Sequence, residues 1–595
     1  MSDPYLDEVP EGRIQLGFLR KLWPFVRPYR RGFVACLVIL AISFCLEMAG
    51  PWLLRHAIDG PMRDTAATPE ARVHSLLWYG AAFLGATLGG ALLGYLFGLL
   101  TAWNGQRVIR DVRRVLFDHL LRTSLTFHEK NTAGKLTTRV SSDVENLNEL
   151  IANGVLQSLF DLLKIVGVLV VLFFLDLKLA LFTVATTPIV VLISVLFRRN
   201  AQRAYRAVRS KLALQNAYTT ELLGGVRTTR AFGREAAVSA RYAERNRETA
   251  DAWRETVLHF SVFFALVDLA VRATTVGLLW YGGSAVLEGT LQPGQFVQFW
   301  LYYALLTSPV KELGEKYNVL QAAFASCERV FALLAEPEFP PRNQAAVRSA
   351  RRGKARLEFD QVTFAYNPQS PVLRAISFSA EAGQTIAIVG PTGAGKTTLL
   401  SLVARLRDVT SGAVRIDGQD VRDLDLGDLR ARVAYVAQDL FLFTGSVLDN
   451  VRLFDPHLDE ARVWRALETV GAADFVRALP QGLLTAVEER GATFSQGERQ
   501  LLAFARALVV EPDVLVLDEA TASIDSESEA RLQHALTAAL AGRTALVVAH
   551  RLSTVRNADR ILVLEQGEIA ESGTHAELLA RRGHYWRMVS QVDRD

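Results

Sequence analysis

The chain has 595 residues, half of them hydrophobic, with 66 Lys and Arg against 62 Asp and Glu, a net charge of +4. That length accommodates several domains, and so small an excess of positive charge excludes a chain that binds nucleic acid through bulk electrostatics. The three cysteines, Cys36, Cys45 and Cys327, have neither metal-ligand nor disulfide spacing.

In chain order, the start MSDPYLDEVPEGR is polar and acidic and lacks the pattern of a cleavable signal peptide. An amphipathic basic stretch at 18–31 is expected to lie along the inner membrane surface. Six spanning helices are predicted at 32–58, 73–101, 154–174, 178–199, 257–286 and 294–320. Each is long enough to cross a hydrocarbon core of about 30 Å. LDLKL makes the third and fourth a tight hairpin, and EGTLQPGQ joins the fifth and sixth. The loop after the second span carries Arg107, Arg110, Arg113 and Arg114, and the loop after the fourth carries Arg198, Arg199, Arg203 and Arg206. The opposite loops hold only Arg63, Arg72 and Lys178. Positive residues favour the cytoplasmic side, so both termini and both long loops are expected there.

Each long loop has a glycine-containing break in a helical pattern, TFHEKNTAGKLTTRVSSDVENL in the first and TTELLGGVRTTRAFGREA in the second. Such loops read either as solvated connectors or as contact points with a soluble domain, and their length favours contact. Charges inside the spans need a reason, among them Glu47 in the first, and Asp268 and Arg272 one turn apart in the fifth. An unpaired charge at mid-bilayer costs about 2.5–3.5 kcal/mol on insertion scales. Asp268 and Arg272 either neutralise each other as an i, i+4 pair or line a water-filled substrate cavity.

Beyond a Pro- and Arg-rich linker the sequence turns to short apolar strands and charged helices. Strand-like TIAIVG runs directly into GPTGAGKTT and then an apolar helix, the strand–loop–helix context of a P-loop. Gly390, Gly393 and Gly395 let backbone N–H groups close around phosphate, and the helix adds the positive end of its dipole. Lys396 is placed to reach the β- and γ-phosphates and Thr397 to offer its hydroxyl to Mg²⁺. Thr392, Ala394 and Thr398 complete the expected ATP-binding loop. In VLVLDEA an apolar strand ends in two acids, Asp518 to hold Mg²⁺ and Glu519 to polarise the attacking water. His550 ends the next apolar strand, TALVVAH, where the carboxyl ends of parallel strands converge on a ligand crevice. A γ-phosphate contact is the expected role.

This order of motifs resembles the nucleotide-binding domain of ABC transporters, and six spans with two long inner loops resemble the exporter-type membrane domain. The fold class expected is a six-helix membrane domain followed by an α/β P-loop ATPase domain. Its segments are a cytoplasmic start and surface helix at 1–31, the membrane domain at 32–325, a linker at 326–354 and the ATPase domain at 355–595. The resemblance implies further roles. Tyr366 stacks on adenine; Gln438 senses Mg²⁺ and the attacking water; Ser523 to Asp525, with Asp525 its acid, communicate across a dimer. The breaks at 127–137 and 222–234 are coupling helices, and TAVEERG touches the inner loops. Two ATPase domains sandwich two ATPs, so a chain with one such domain needs a second half-transporter.

One motif departs from the family. The signature, usually Leu-Ser-Gly-Gly-Gln, reads Phe494-Ser495-Gln496-Gly497-Glu498. Gln496 replaces a glycine where the backbone approaches the γ-phosphate, restricting that backbone, and Glu498 brings a negative charge near an anion. Both should weaken the site that this signature completes on a partner's P-loop. The asymmetry resembles heterodimeric bacterial exporters with one competent and one degenerate site. The function expected is ATP-driven export of a hydrophobic or amphipathic drug-like molecule or lipid across a bacterial cytoplasmic membrane. This chain would supply the competent P-loop, and its partner a degenerate catalytic site. A homodimeric lipid flippase, a peptide exporter and an ATP-gated channel stay open as alternatives.

Overall fold

The computed structural model describes residues 17–185, 187–340, 353–518, 526–549 and 552–592. It forms two compact units, one of 1–118 with 134–335 and the other of 119–133 with 336–595.

The first unit is built of helices joined by short turns among its described residues. Surface helix α1 (Gly17–Val26) precedes α2 (Arg30–Asp59), and α3 (Pro69–Leu120) covers the second apolar run. Short α4 (Leu125–Lys130) belongs to the second unit. Next come α5 (Ala133–Thr138), α6 (Val144–Glu149) and α7 (Gln157–Leu175), joined by π-helical turns at Arg139–Asp143 and Leu150–Leu156. The hairpin partner is α8 (Leu177–Ala185), followed by α9 (Thr187–Gly224), α10 (Val226–Ala231), α11 (Glu235–Leu287) and α12 (Pro293–Leu334). Helix covers all six predicted runs where they are described. Among the described residues, four helical stretches are long and apolar enough to cross a membrane: Arg20–Asp59, Pro69–Leu120, Ala133–Leu175 and Glu235–Leu287. The run at 294–320 ends in Lys311, Glu312, Glu315 and Lys316, which dilutes its apolar character.

Charge pairing explains how polar residues are tolerated here. Glu47 on α2 meets Lys164 on α7 at 2.5 Å, and buried Asp161, one turn before Lys164, pairs with Lys316 on α12. Asp268 and Arg272 form the i, i+4 pair within α11, at 2.6 Å. Asp143 accepts from Arg139 at 2.7 Å, from Ser326 at 2.9 Å and from two nitrogens of Arg329. It thereby ties the first π-helical turn to α12.

The second unit is built on sheets. Strands β1 (Leu357–Asn367), β2 (Ser370–Ala380), β4 (Ser411–Ile416) and β5 (Gln419–Asp420) form an antiparallel sheet in the order β2-β1-β4-β5. Strand β3 (Thr385–Val389) leads into α13 (Lys396–Val403). After α14 (Leu426–Arg432) comes β6 (Val433–Val436), then a short pair β7 (Gly445–Ser446) and β8 (Ala486–Val487). Helices α15 (Val447–Arg452), α16 (Glu460–Thr469) and α17 (Ala473–Ala478) lie between the two short strands, and α18 (Gln496–Leu508) follows them. Strands β9 (Val514–Asp518), β10 (Thr544–Val548), β11 (Arg560–Glu565) and β12 (Glu568–Gly573) complete a six-stranded sheet ordered β12-β11-β3-β10-β9-β6. Only β12 runs antiparallel. The five parallel strands read as near-continuous apolar runs because such a sheet is covered on both faces, and every residue of β9 and β10 is buried. A second strand-like contact brings the first long loop into this unit: Thr123 bridges Glu338, and the amide of Phe339 donates to the Arg122 carbonyl at 2.8 Å.

Candidate functional site

The strand order determines what the site contains. Strand β10 lies between β3 and β9, so the ends of the three strands present the 390–397 loop, residue 549 and Asp518 side by side. The amide of Ala549 donates to the Ile388 carbonyl at 3.2 Å, which carries the chain to the edge of the loop just before His550. His550, Glu519 and Asp525 themselves lie outside the described residues.

The loop has the backbone that phosphate binding needs. Gly390 takes φ +156, and a Cβ there would sit 2.2 Å from the Leu564 carbonyl oxygen. Gly395 takes φ +99 as the N-cap of α13, a conformation that side chains disfavour. Lys396 donates from Nζ to the carbonyls of Gly390 (2.7 Å) and Pro391 (3.0 Å), curling over the loop. Burial pushes its ammonium below its ordinary pKa, and the nearby Asp518 charge opposes that. Thr397 is exposed and Thr398 buried.

Asp518 is 4% exposed, and its Oδ2 makes no hydrogen bond among the described residues. A buried carboxylate oxygen without a partner is costly unless a cation or donor meets it. Asp518 and Thr397 carry hard oxygen donors of the kind that suits Mg²⁺. Gln438, just beyond β6, and Asp518 line one cavity of about 240 Å³ with Gln496, Arg499 and Gln500 of α18.

Tyr366 stands near the end of β1, half-exposed, with its hydroxyl 3.0 Å from the Thr398 hydroxyl. The structure thus brings the predicted adenine aromatic to the start of the loop's helix. Arg407 lies over its ring, 4.7 Å from the centroid. The sequence motifs did not single out Arg407, and in RLRD nothing local distinguishes it. Glu47 was visible as a charge inside a span, but its partner Lys164 was not.

The signature loop differs from expectation in one physical respect. Gln496 opens α18, and Gln496 is not among the residues with positive φ. The lost glycine therefore costs no backbone strain in this chain, and the exchange instead adds an exposed side chain. Ser495 and Glu498 form a capping box: the Ser495 amide donates to Glu498 Oε2 at 2.8 Å, and the Glu498 amide to Ser495 Oγ at 3.3 Å. The Glu498 carboxylate thus occupies an amide at the N-terminal end of α18, the end that favours anions. Gly497 is buried in the first turn.

The predicted coupling segments are short helices. Ser124 caps α4 by accepting from the Phe127 amide. Around α10, Leu223 and Phe232 are largely exposed.

Comparison with known proteins gives a consistent set of relatives. The family described as the ABC transporter transmembrane region matches residues 33–310, and the family described as ABC transporter matches 373–522. The ABC transporter ATP-binding protein YknV of Bacillus subtilis is 36% identical, over 98% of this chain and 96% of its own. The ATP-dependent lipid A-core flippase of Syntrophus aciditrophicus is 32% identical, over 97% and 95%. A Staphylococcus aureus ATP-binding/permease protein provisionally named for multidrug export is also 32% identical, over 96% and 99%. Among solved structures, a bacterial Atm1-family ABC exporter with ATP bound superposes with a TM-score of 0.78 at 28% identity, over 94% of this chain and 98% of that one.

Proposed function

Since the chain belongs to the ABC transporters, as a multi-pass membrane exporter that couples ATP hydrolysis to transport, we propose that it is one half of a dimer of two unequal subunits. The cargo is a hydrophobic or amphipathic compound, drug-like or lipid. That substrate class is supported by relatives named for lipid A-core flipping and multidrug export. The membrane is a bacterial cytoplasmic membrane with both termini inside, as the basic loops favour.

In this reading the chain supplies the working P-loop. Lys396 and the 390–397 backbone bind the triphosphate and Tyr366 stacks on the base. Thr397 and Asp518 hold Mg²⁺, which neutralises phosphate charge when bound. Gln438 and Glu519 orient and polarise the attacking water, His550 contacts the γ-phosphate, and Asp525 communicates across the dimer. The helices α4 and α10 convert closure of the ATPase domains into a switch of the spans. Exposed Leu223 and Phe232 supply an apolar face with which the second of them would dock.

The observation that carries the inequality is the signature. Ser495, Gln496, Gly497 and Glu498 serve the partner's nucleotide, and there Gln496 adds bulk while the Glu498 carboxylate sits at the amide end meant for phosphate. The partner then has a sound signature and a defective catalytic base. Expressing the tagged chain alone and purifying it tests this. The expected result is little or no stimulated ATPase until the partner subunit is co-expressed. A stable, drug- or lipid-stimulated ATPase from this chain by itself overturns the heterodimer.

A further inference from the structure

Arg407 holds together two parts of the second unit that no motif connects. The residue is almost fully buried, at 7% exposure. On one side it lies over the Tyr366 ring, 4.7 Å from the centroid. On the other it reaches α4: Nη1 donates to Thr126 Oγ1 at 2.6 Å, and Nη2 donates to both carboxylate oxygens of Glu129 at 2.5 Å. Thr126 and Glu129 are three residues apart and share a face of α4. A planar guanidinium suits this double duty, since its edge donates in fixed directions while its face stacks.

We propose that Arg407 is the residue through which the base of the bound nucleotide is read by the first long loop. The proposal rests on Tyr366 being the adenine aromatic, as in the function proposed above. Arg407 covers one face of the Tyr366 ring, so a base stacks on the other. The ring is then held between a cation and a purine, and its preferred position governs that of the guanidinium. Any shift of the guanidinium is passed to Glu129 and Thr126 without an intervening flexible link. The ring's hydroxyl meets Thr398, the residue just after the 390–397 loop, at 3.0 Å, so the route through Arg407 starts at the base rather than at the phosphates. Arg407 is a positioning residue in this account, and the signal it carries is specific to the base.

Hydrogen exchange on the full-length dimer in lipid nanodiscs tests this, with AMP-PNP and inorganic triphosphate as probes. Both are added at concentrations that protect the 390–397 segment equally. AMP-PNP is expected to slow exchange of 125–130 by about fivefold or more, and triphosphate to leave it unchanged. Arg407→Met should abolish the response at 125–130 while the response at 390–397 persists. Glu129→Gln, which keeps an acceptor but removes the charge, should weaken it. An equal response to triphosphate, or an undiminished response in Arg407→Met, overturns the proposal. If Arg407→Met fails to assemble, the Glu129→Gln result is read by the same criterion. A Tyr366→Ala control separates the two ideas. Unchanged concentration dependence of AMP-PNP protection at 390–397 removes the adenine role of Tyr366. A weakened dependence there, with a normal response at 125–130 in Arg407→Met, removes the relay alone.

Discussion

The membrane unit and the ATPase unit treat their buried carboxylates differently. In the first, Asp161 is met by Lys316 from another helix, and Asp143 by Arg329, Arg139 and Ser326. In the second, Asp513 is likewise closed by Arg432 at 2.6 Å, but Asp518 keeps one oxygen without a hydrogen bond among the described residues. A paired buried charge holds elements in register, whereas an unmatched one costs stability that a ligand can return. The pairs therefore mark the scaffold; of the two carboxylate oxygens buried without a hydrogen bond among the described residues, Asp59 Oδ2 in the membrane unit lies 3.8 Å from Arg55 Nε, and Asp518 Oδ2 stands at the strand end where chemistry is expected.

That contrast can be broken at either end. The largest effect is expected at the catalytic base. Glu519→Gln should lower ATP hydrolysis by about 10²–10⁴-fold while nucleotide binding is retained. Unchanged turnover would take the base away from Glu519. Next, Asp161→Leu leaves the Lys316 ammonium without its carboxylate and should destabilise the membrane unit by about 3–5 kcal/mol. Thermal unfolding in detergent measures it, and an unshifted midpoint would show that the pair is not structural. Tyr366→Ala should lose about 1–3 kcal/mol of stacking. A raised KM for ATP at nearly constant kcat is the expected signature, read from initial rates.

Smaller effects test the inequality of the two sites. Restoring Gln496→Gly and Glu498→Gln should change hydrolysis of the heterodimer by no more than about twofold, because the partner's site would still lack its base. A rise well beyond that would place a working base opposite this signature. The smallest effect is expected from replacing both Asp268 and Arg272 with Leu, since the two already neutralise each other within α11. Loss of transport at normal expression would instead place that pair in the substrate path.

Much of this molecule was legible before any coordinates. The 390–397 loop, the VLVLDEA strand and the signature are each contiguous, because a phosphate or a metal is gripped by neighbouring backbone and side-chain groups. The apolar runs declared themselves because the bilayer demands an uninterrupted stretch. The capping box at Ser495 and Glu498 spans four residues, yet its meaning for the signature emerged only when the carboxylate was found turned back on its own helix. The expected backbone cost at Gln496 likewise dissolved once the residue was seen opening a helix.

Sequence alone thus determined the class of machine and the helical course of its apolar runs, and pointed to its nucleotide loop, since all three depend on local pattern. Tertiary structure alone decided which distant charges meet. Lys164 reaches Glu47, Lys316 reaches Asp161, and Arg407 reaches Glu129 across 278 positions of chain. Such pairs depend on which helices and loops pack side by side, and no local periodicity encodes that choice.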